Sequence, residues 1–127
     1  MHPDQITLNE LYNDSQTIHL YYLKMDGVYA AFGLSAYLLT NPPVQQLSQP
    51  VQQLTQSVHP LVSYSGEMQM PVALLLPAQL EELRRRHTVG RWEPQNYCRL
   101  DLPKRIDDAG YAAWATPLRA QYTETVS

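Results

Sequence analysis

Hydrophobic side chains crowd one stretch of this chain, Ile18 to Thr40, and mostly polar stretches frame it. From Ile18 to Met25 aromatic and branched residues occupy both parities, with Ile18, Leu20 and Tyr22 on one and Tyr21, Leu23 and Met25 on the other. A strand with little polar alternation is one covered on both faces. Asp26-Gly27 then marks a tight turn, because glycine enters positive φ at no steric cost. Beyond it the period changes. Val28, Phe32, Ser35, Ala36 and Leu39 recur at helical spacing, with Tyr29, Gly33 and Tyr37 as an adjacent stripe, which predicts a mostly buried helix opening at Val28. A switch from period two to period 3.6 at the turn argues against a hairpin.

The remaining elements follow from local signals. Thr7-Leu8-Asn9-Glu10 has the form of a capping box and predicts a short helix from Thr7 to Tyr12, ended by Asn13-Asp14-Ser15. Leu61 to Tyr64 and Gln69 to Leu76 read as strands around a Ser65-Gly66 turn, and Val72 to Leu76 lacks polar alternation, as a central strand does. Pro77 suits the first position of a helix running from Ala78 to His87, with Leu80 and Leu83 inward. Gln95 to Leu102 reads as a last strand. Asp107 or Asp108 caps a final helix through Tyr111 and Trp114, ended by Pro117, with Thr123 to Ser127 frayed. Residues 1–127 thus read as one α+β domain, a mixed β-sheet flanked by three or four helices.

Residues 41–60 are different material. Two imperfect copies of a seven-residue unit, VQQLSQP from Val44 and VQQLTQS from Val51, place Val44, Leu47, Val51, Leu54, Val58 and Leu61 at heptad spacing. Pro50 interrupts any helix there at a cost of about 3 kcal/mol. Three readings fit: an extended Gln-rich insertion, a helix that forms on a partner, or a self-association seam.

Composition narrows the class. A chain of 127 residues is large enough to bury its own core, and its single cysteine, Cys98, leaves no internal disulfide and no multi-cysteine metal knuckle. There is no secretion signal at the start and no run of ~20 apolar residues, so a cytoplasmic protein without a membrane partner is expected. The net charge of −3 hides an asymmetry: residues 1–83 sum to −6, residues 84–105 to +5 and the rest to −2. The basic band holds Arg84, Arg85, Arg86, Arg91, Arg99, Lys104 and Arg105, interleaved with Trp92 and Tyr97. Guanidinium groups beside rings are the composition of a nucleic-acid groove, in which phosphates meet cations and bases stack. The same residues also fit a solvated helix face, since Glu81 and Arg85, and Glu82 and Arg86, stand at i, i+4 in the favourable order. Arg84 has no such mate and is the arginine most available to a ligand. Trp92, between Gly90 and Pro94, fits equally a plug over the sheet's edge.

Catalytic patterns are missing. His2, His19, His59 and His87 are scattered, with no H-x-x-x-H or H-E-x-x-H spacing, and the five glycines form no phosphate loop. Cys98 in a strand reads as a small apolar residue, although Arg99 beside it would lower its pKa if both were exposed. No catalytic residue, metal, cofactor or small-molecule substrate is expected.

The segment Met25, Asp26, Gly27, Val28, Tyr29, Ala30, Ala31, Phe32 resembles the signature of the amino-terminal mismatch-recognition domain of MutS proteins, in which a hydrophobic strand and a Met-Gly-Asp-type turn precede Phe-Tyr-Glu-x-Phe at the opening of a helix. The likeness continues weakly from Met70 to His87. Val28 and Ala30 stand where that family has its base-stacking Phe and hydrogen-bonding Glu, and neither side chain can do that work. Small stand-alone proteins of this kind are similar to accessory proteins of diversity-generating retroelement reverse transcriptases. The resemblance therefore implies a non-catalytic accessory subunit that contacts a reverse transcriptase and its RNA or RNA/DNA hybrid. A protein-interaction module without nucleic-acid contact is the alternative. The resemblance requires the chain to turn at Asp26-Gly27 straight into a helix at Val28, and a hairpin there would remove its backbone basis.

Overall fold

The computed structural model describes residues 3–40 and 60–126, and the Gln-rich heptad segment 41–59 lies outside them. The order is α1 (Pro3–Leu11), β1 (Thr17–Leu23), β2 (Val28–Phe32), α2 (Gly33–Thr40), β3 (Leu61–Ser65), β4 (Met70–Leu75), α3 (Pro77–Arg86), β5 (Thr88–Glu93), β6 (Tyr97–Asp101) and α4 (Tyr111–Val126). The strands form one six-stranded sheet in the order β3-β4-β2-β1-β6-β5. This is an α+β domain with four helices among the described residues. Every pairing is antiparallel, so the mixed sheet expected from the sequence is corrected.

The largest correction falls on the organising stretch. Asp26-Gly27 closes a hairpin in which Tyr21 faces Ala30 and Leu23 faces Val28, and the helix opens at Gly33, not Val28. Val28, Tyr29 and Phe32 are residues that favour strands, and β2 gains two neighbours by extending, β1 on one side and β4 on the other. Ala30 and Ala31 are fully buried, their small side chains leaving room for what packs over the sheet. Gly27 at φ 67° makes the turn, and Gly33 at φ 56° swings the chain from strand into helix.

Strand alternation gives the sheet two cores. On one face Ile18, Leu20, Tyr29, Ala31, Leu75, Cys98 and Leu100 pack under α2 and α3, which contribute Ala36, Leu38, Leu39, Leu80 and Leu83. Each leucine withdrawn from water there contributes about 2 kcal/mol. On the other face Tyr21, Ala30, Phe32, Val72 and Tyr97 meet Ile6 of α1.

Smaller differences concern ends. α1 starts at Pro3, so Thr7 is inside it and the capping box is not used. β5 was not foreseen, because Gly90 and three polar residues hide its alternation; it pairs with β6 through an irregularity between Val89 and Arg91. Pro117 lies inside α4, which runs on to Val126 where fraying was expected.

Candidate functional site

Three elements converge on one carboxylate. Glu10 sits in the last turn of α1, buried, and its Oε1 and Oε2 accept the backbone N–H of Ser35 at 2.8 Å and the Ser35 hydroxyl at 2.7 Å. The Ser35 oxygen in turn accepts the backbone N–H of His19 at 3.0 Å and Asn13 Nδ2 at 3.2 Å. Glu10 therefore ties α1, the opening turn of α2 and the middle of β1 together. Burial pushes its carboxyl up from 4.5 to about 7, against the opposing pull of the Ser35 and Asn13 hydrogen bonds. Beside it opens a cleft of ≈ 560 Å³ lined by Thr7, Leu11, Leu34, Met70, Tyr111 and Asp108, among others. Its lining contains no histidine, cysteine, lysine or arginine; the other hydroxyl and carboxyl side chains that line it with Glu10 are Thr7, Tyr111 and Asp108. Ser15 Oγ donates to Asp108 at the same end.

On the far side of α1 lies a polar depression of ≈ 370 Å³ lined by Tyr12, Asp14, Thr17, His19, Arg99 and Asp101, together with Asn13. His19 Nδ1 lies 2.6 Å from the Tyr97 hydroxyl. Burial first, and then the Arg99 guanidinium, lower the His19 pKa from 6.5 to about 4, so the ring is neutral at physiological pH. Between the two depressions α1 and the turn that ends it present Leu8, Leu11 and Tyr12 at i, i+3, i+4, with Leu11 70% and Tyr12 79% exposed. Leu11 borders the first depression and Tyr12 the second.

The basic band is not one surface. Strand alternation sends Arg91 and Arg99 to the face of Tyr97 and sends Trp92 to the opposite face, where it packs on Tyr29. Arg84, expected to be the free arginine, lies with its guanidinium carbon 3.9 Å from the Trp92 ring centroid and its Nη1 3.9 Å from Glu81. Arg85 and Arg86 both reach Glu82, Arg91 reaches Glu93, Arg99 reaches Asp101 at 3.1 Å and Arg105 approaches Asp108 at 3.9 Å. Tyr97 is buried, stacked against His19 and tilted against Tyr21, and burial pushes its hydroxyl up to about 12. Neither ring is an open platform for a base. Lys104 is exposed in the loop after β6. The motif positions Met25, Asp26, Gly27, Val28, Tyr29, Ala30 and Phe32 form the β1–β2 hairpin, with Met25 exposed at its tip and Tyr29, Ala30 and Phe32 buried in the sheet. Cys98 is buried, and burial pushes its thiol up to about 11, far from a reactive thiolate.

No family model, curated protein or solved structure matches this chain. The likeness to the MutS domain thus rests on the stretch around Met25 to Phe32, whose backbone is a hairpin instead of a turn into a helix. Among the described residues no group of three histidine, cysteine or acidic side chains could hold a metal, and no helix is long and apolar enough to cross a membrane. Sequence reasoning missed Glu10, Ser35 and the α1 stripe. Only the stripe left a signal, Leu8, Leu11 and Tyr12 at helical spacing.

Proposed function

We propose that this protein is a non-catalytic binding module that docks a larger protein through α1 and the depressions on either side of it. The observation that carries the reading is the exposed stripe of Leu8, Leu11 and Tyr12 at the end of a nine-residue helix, Tyr12 being the first residue after it, while the helix spends Ile6 and Glu10 on its own fold. Asp14, Asp101 and Asp108 rim the site against one cation, Arg99, which is paired with Asp101, and the remaining acidic excess suits a partner offering apolar side chains in a basic setting. A reverse transcriptase, implied by the resemblance, is the first partner to test, and a cytoplasmic site of action belongs to the same reading. Because the hairpin removes the backbone basis of that resemblance, the docking surface stands on α1 and not on kinship. The double variant Leu11→Glu/Tyr12→Ala is expected to weaken binding to a purified reverse transcriptase roughly thirtyfold, about 2 kcal/mol, with unchanged thermal stability. Absence of any complex removes the polymerase as partner; a complex indifferent to the variant removes the α1 surface.

A second reading, contact with RNA or an RNA/DNA hybrid, keeps one observation. The side chains of Arg85, Arg91 and Arg105 are 69%, 65% and 71% exposed, and ion pairs this open hold their cations weakly enough to be exchanged for phosphate. Reversing these three charges is expected to flatten the dependence of RNA affinity on salt by about three units of log-log slope at most. An RNA affinity that ignores salt, or no RNA affinity, leaves the protein-docking reading alone.

A further inference from the structure

The two edges of the sheet are built differently. β5 is blunted by Gly90, by the irregularity between Val89 and Arg91, and by the charges of Arg91 and Glu93. These are the devices by which proteins keep a sheet edge from pairing with another chain. β3 has none of them. Its five residues, Leu-Val-Ser-Tyr-Ser, pair with β4 without a break in register, carry no charge and contain no proline. Among the described residues no strand pairs with its outer side. A groove of ≈ 250 Å³ runs along that side, lined by Val62, Ser63 and Tyr64 of the strand and by Leu118, Gln121 and Tyr122 of α4.

We infer that β3 is a self-association edge, at which a second copy of this chain adds its own β3 antiparallel across a two-fold axis to make one continuous twelve-stranded sheet from two copies of the six-stranded one. The strand is self-complementary about Ser63. With Ser63 opposite Ser63 of the second copy, Val62 stands opposite Tyr64 of the second copy on the α4 side, and this happens twice. A β-branched residue beside an aromatic ring is a favourable cross-strand pair. Leu61, exposed alone, gains a neighbour on the open side opposite Ser65 of the second copy. At the two-fold axis Ser63 meets Ser63 and the flanking residues meet in the pairs Val62–Tyr64 and Leu61–Ser65, and Leu61 to Ser65 brings no charge to repel itself. Tyr64 is already held by Tyr122, with ring centroids 5.2 Å apart, so the strand is presented with its aromatic side chain in place.

The inference is independent of the α1 docking site, and its test uses the full chain. Leu61 and Ser63 point to the open face, so the doubles Leu61→Lys/Ser63→Lys and Leu61→Glu/Ser63→Glu put like charges opposite each other at position 63 and add a further like charge on the same face at position 61. Sedimentation velocity is expected to show a dimer for the unaltered chain, at least tenfold weaker association for each double, and a mixed dimer when the two doubles are combined. In parallel, hydrogen exchange at the amides of Leu61 to Ser65 is expected to slow as concentration rises through the dimerisation range, a reading that needs no variant. The Leu11→Glu/Tyr12→Ala variant is expected to dimerise normally. A chain that stays monomeric, a dimer that both charge doubles leave intact, or β3 amides whose exchange does not change with concentration would each overturn the proposal.

Discussion

Replacing Glu10 by glutamine is expected to make the protein gain stability as pH rises from about 4 to 6.5, and replacing His19 by glutamine to make it lose stability as pH rises from 4.5 to about 7. In the unaltered chain the two slopes are expected to oppose each other. The folded Glu10 carboxyl titrates near 7 against an ordinary 4.5, so the folded state holds this proton more tightly than the unfolded chain does. Its contribution to stability is complete below pH 4.5 and is lost as pH rises to about 7. The His19 ring titrates near 4 against an ordinary 6.5, so here the unfolded chain holds the proton more tightly, and stability grows as pH rises from about 4 to 6.5. The Glu10 shift corresponds to about 3 kcal/mol, and the His19 shift to less, because its ring is partly open to solvent. The effects run in opposite directions through nearly the same window, so they are expected to offset each other in the unaltered chain. Glutamine at position 10 resembles the protonated carboxyl, so that variant is also the more stable protein above pH 7. Urea midpoints taken across this range for the three proteins decide the matter. Parallel curves for all three would show that neither group is desolvated as its burial requires.

That a buried acid and the backbone N–H of His19 meet at one serine was not legible in the chain, and the reason is physical. Glu10 reads locally as the end of a capping box, and it leaves that role because α1 begins earlier, at Pro3, which rotates residue 10 inward against an element 25 residues away. Nothing within a helical turn of Glu10 encodes that meeting. The basic band failed for a related reason. In the sequence Arg91, Trp92, Tyr97 and Arg99 form one cluster, but a strand deals consecutive residues to opposite faces, so the tryptophan and the arginines part company once β5 exists. β5 itself was hidden by Gly90, whose missing side chain and irregular pairing look like a loop.

Other elements were plain. The both-face burial of β1, the β3–β4 pair around Ser65-Gly66, and α3 opening at Pro77 with Leu80 and Leu83 inward all follow from patterns of five to ten residues. The misreading at Val28 is instructive because the local signal was correct and was outvoted. Asp-Gly between apolar runs is a hairpin signal. The helical spacing that outweighed it counted Val28 and Phe32, which belong to β2, together with Ser35, Ala36 and Leu39, which belong to α2. A five-residue strand running directly into an eight-residue helix produces such a pattern with no single helix beneath it. Sequence periodicity cannot see the joint, and Gly33 with its positive φ is the residue that marks it.

The second large effect is expected at Ser35. Ser35→Ala removes about 3 kcal/mol of stability at pH 8, against less than about 1 kcal/mol for an exposed hydroxyl such as Thr116→Ala. The difference lies in what each hydroxyl serves. Thr116 donates back to the Ala112 carbonyl on the exposed surface of α4, where water replaces it. Ser35 Oγ is fully buried and stands at a junction: it donates to Glu10 Oε2 and accepts from the His19 backbone and from Asn13. Without it one carboxylate oxygen loses its donor and one strand N–H loses its acceptor, each in a place where solvent does not readily enter. An orphaned group of this kind costs about 1 to 3 kcal/mol, and the charged one costs more than the neutral one. The loss is therefore expected to shrink by about 1 kcal/mol at pH 5, where Glu10 is protonated and its need for a donor is weaker. Ser35→Ala also removes the first of the hydrogen bonds that hold the Glu10 pKa down, so the carboxyl moves further up in the variant and the stability curve of Ser35→Ala falls more steeply towards high pH than that of the unaltered chain. A loss equal at both pH values would mean that Ser35 matters only as a helix residue, and that the link between α1 and β1 runs through packing instead of through this hydroxyl.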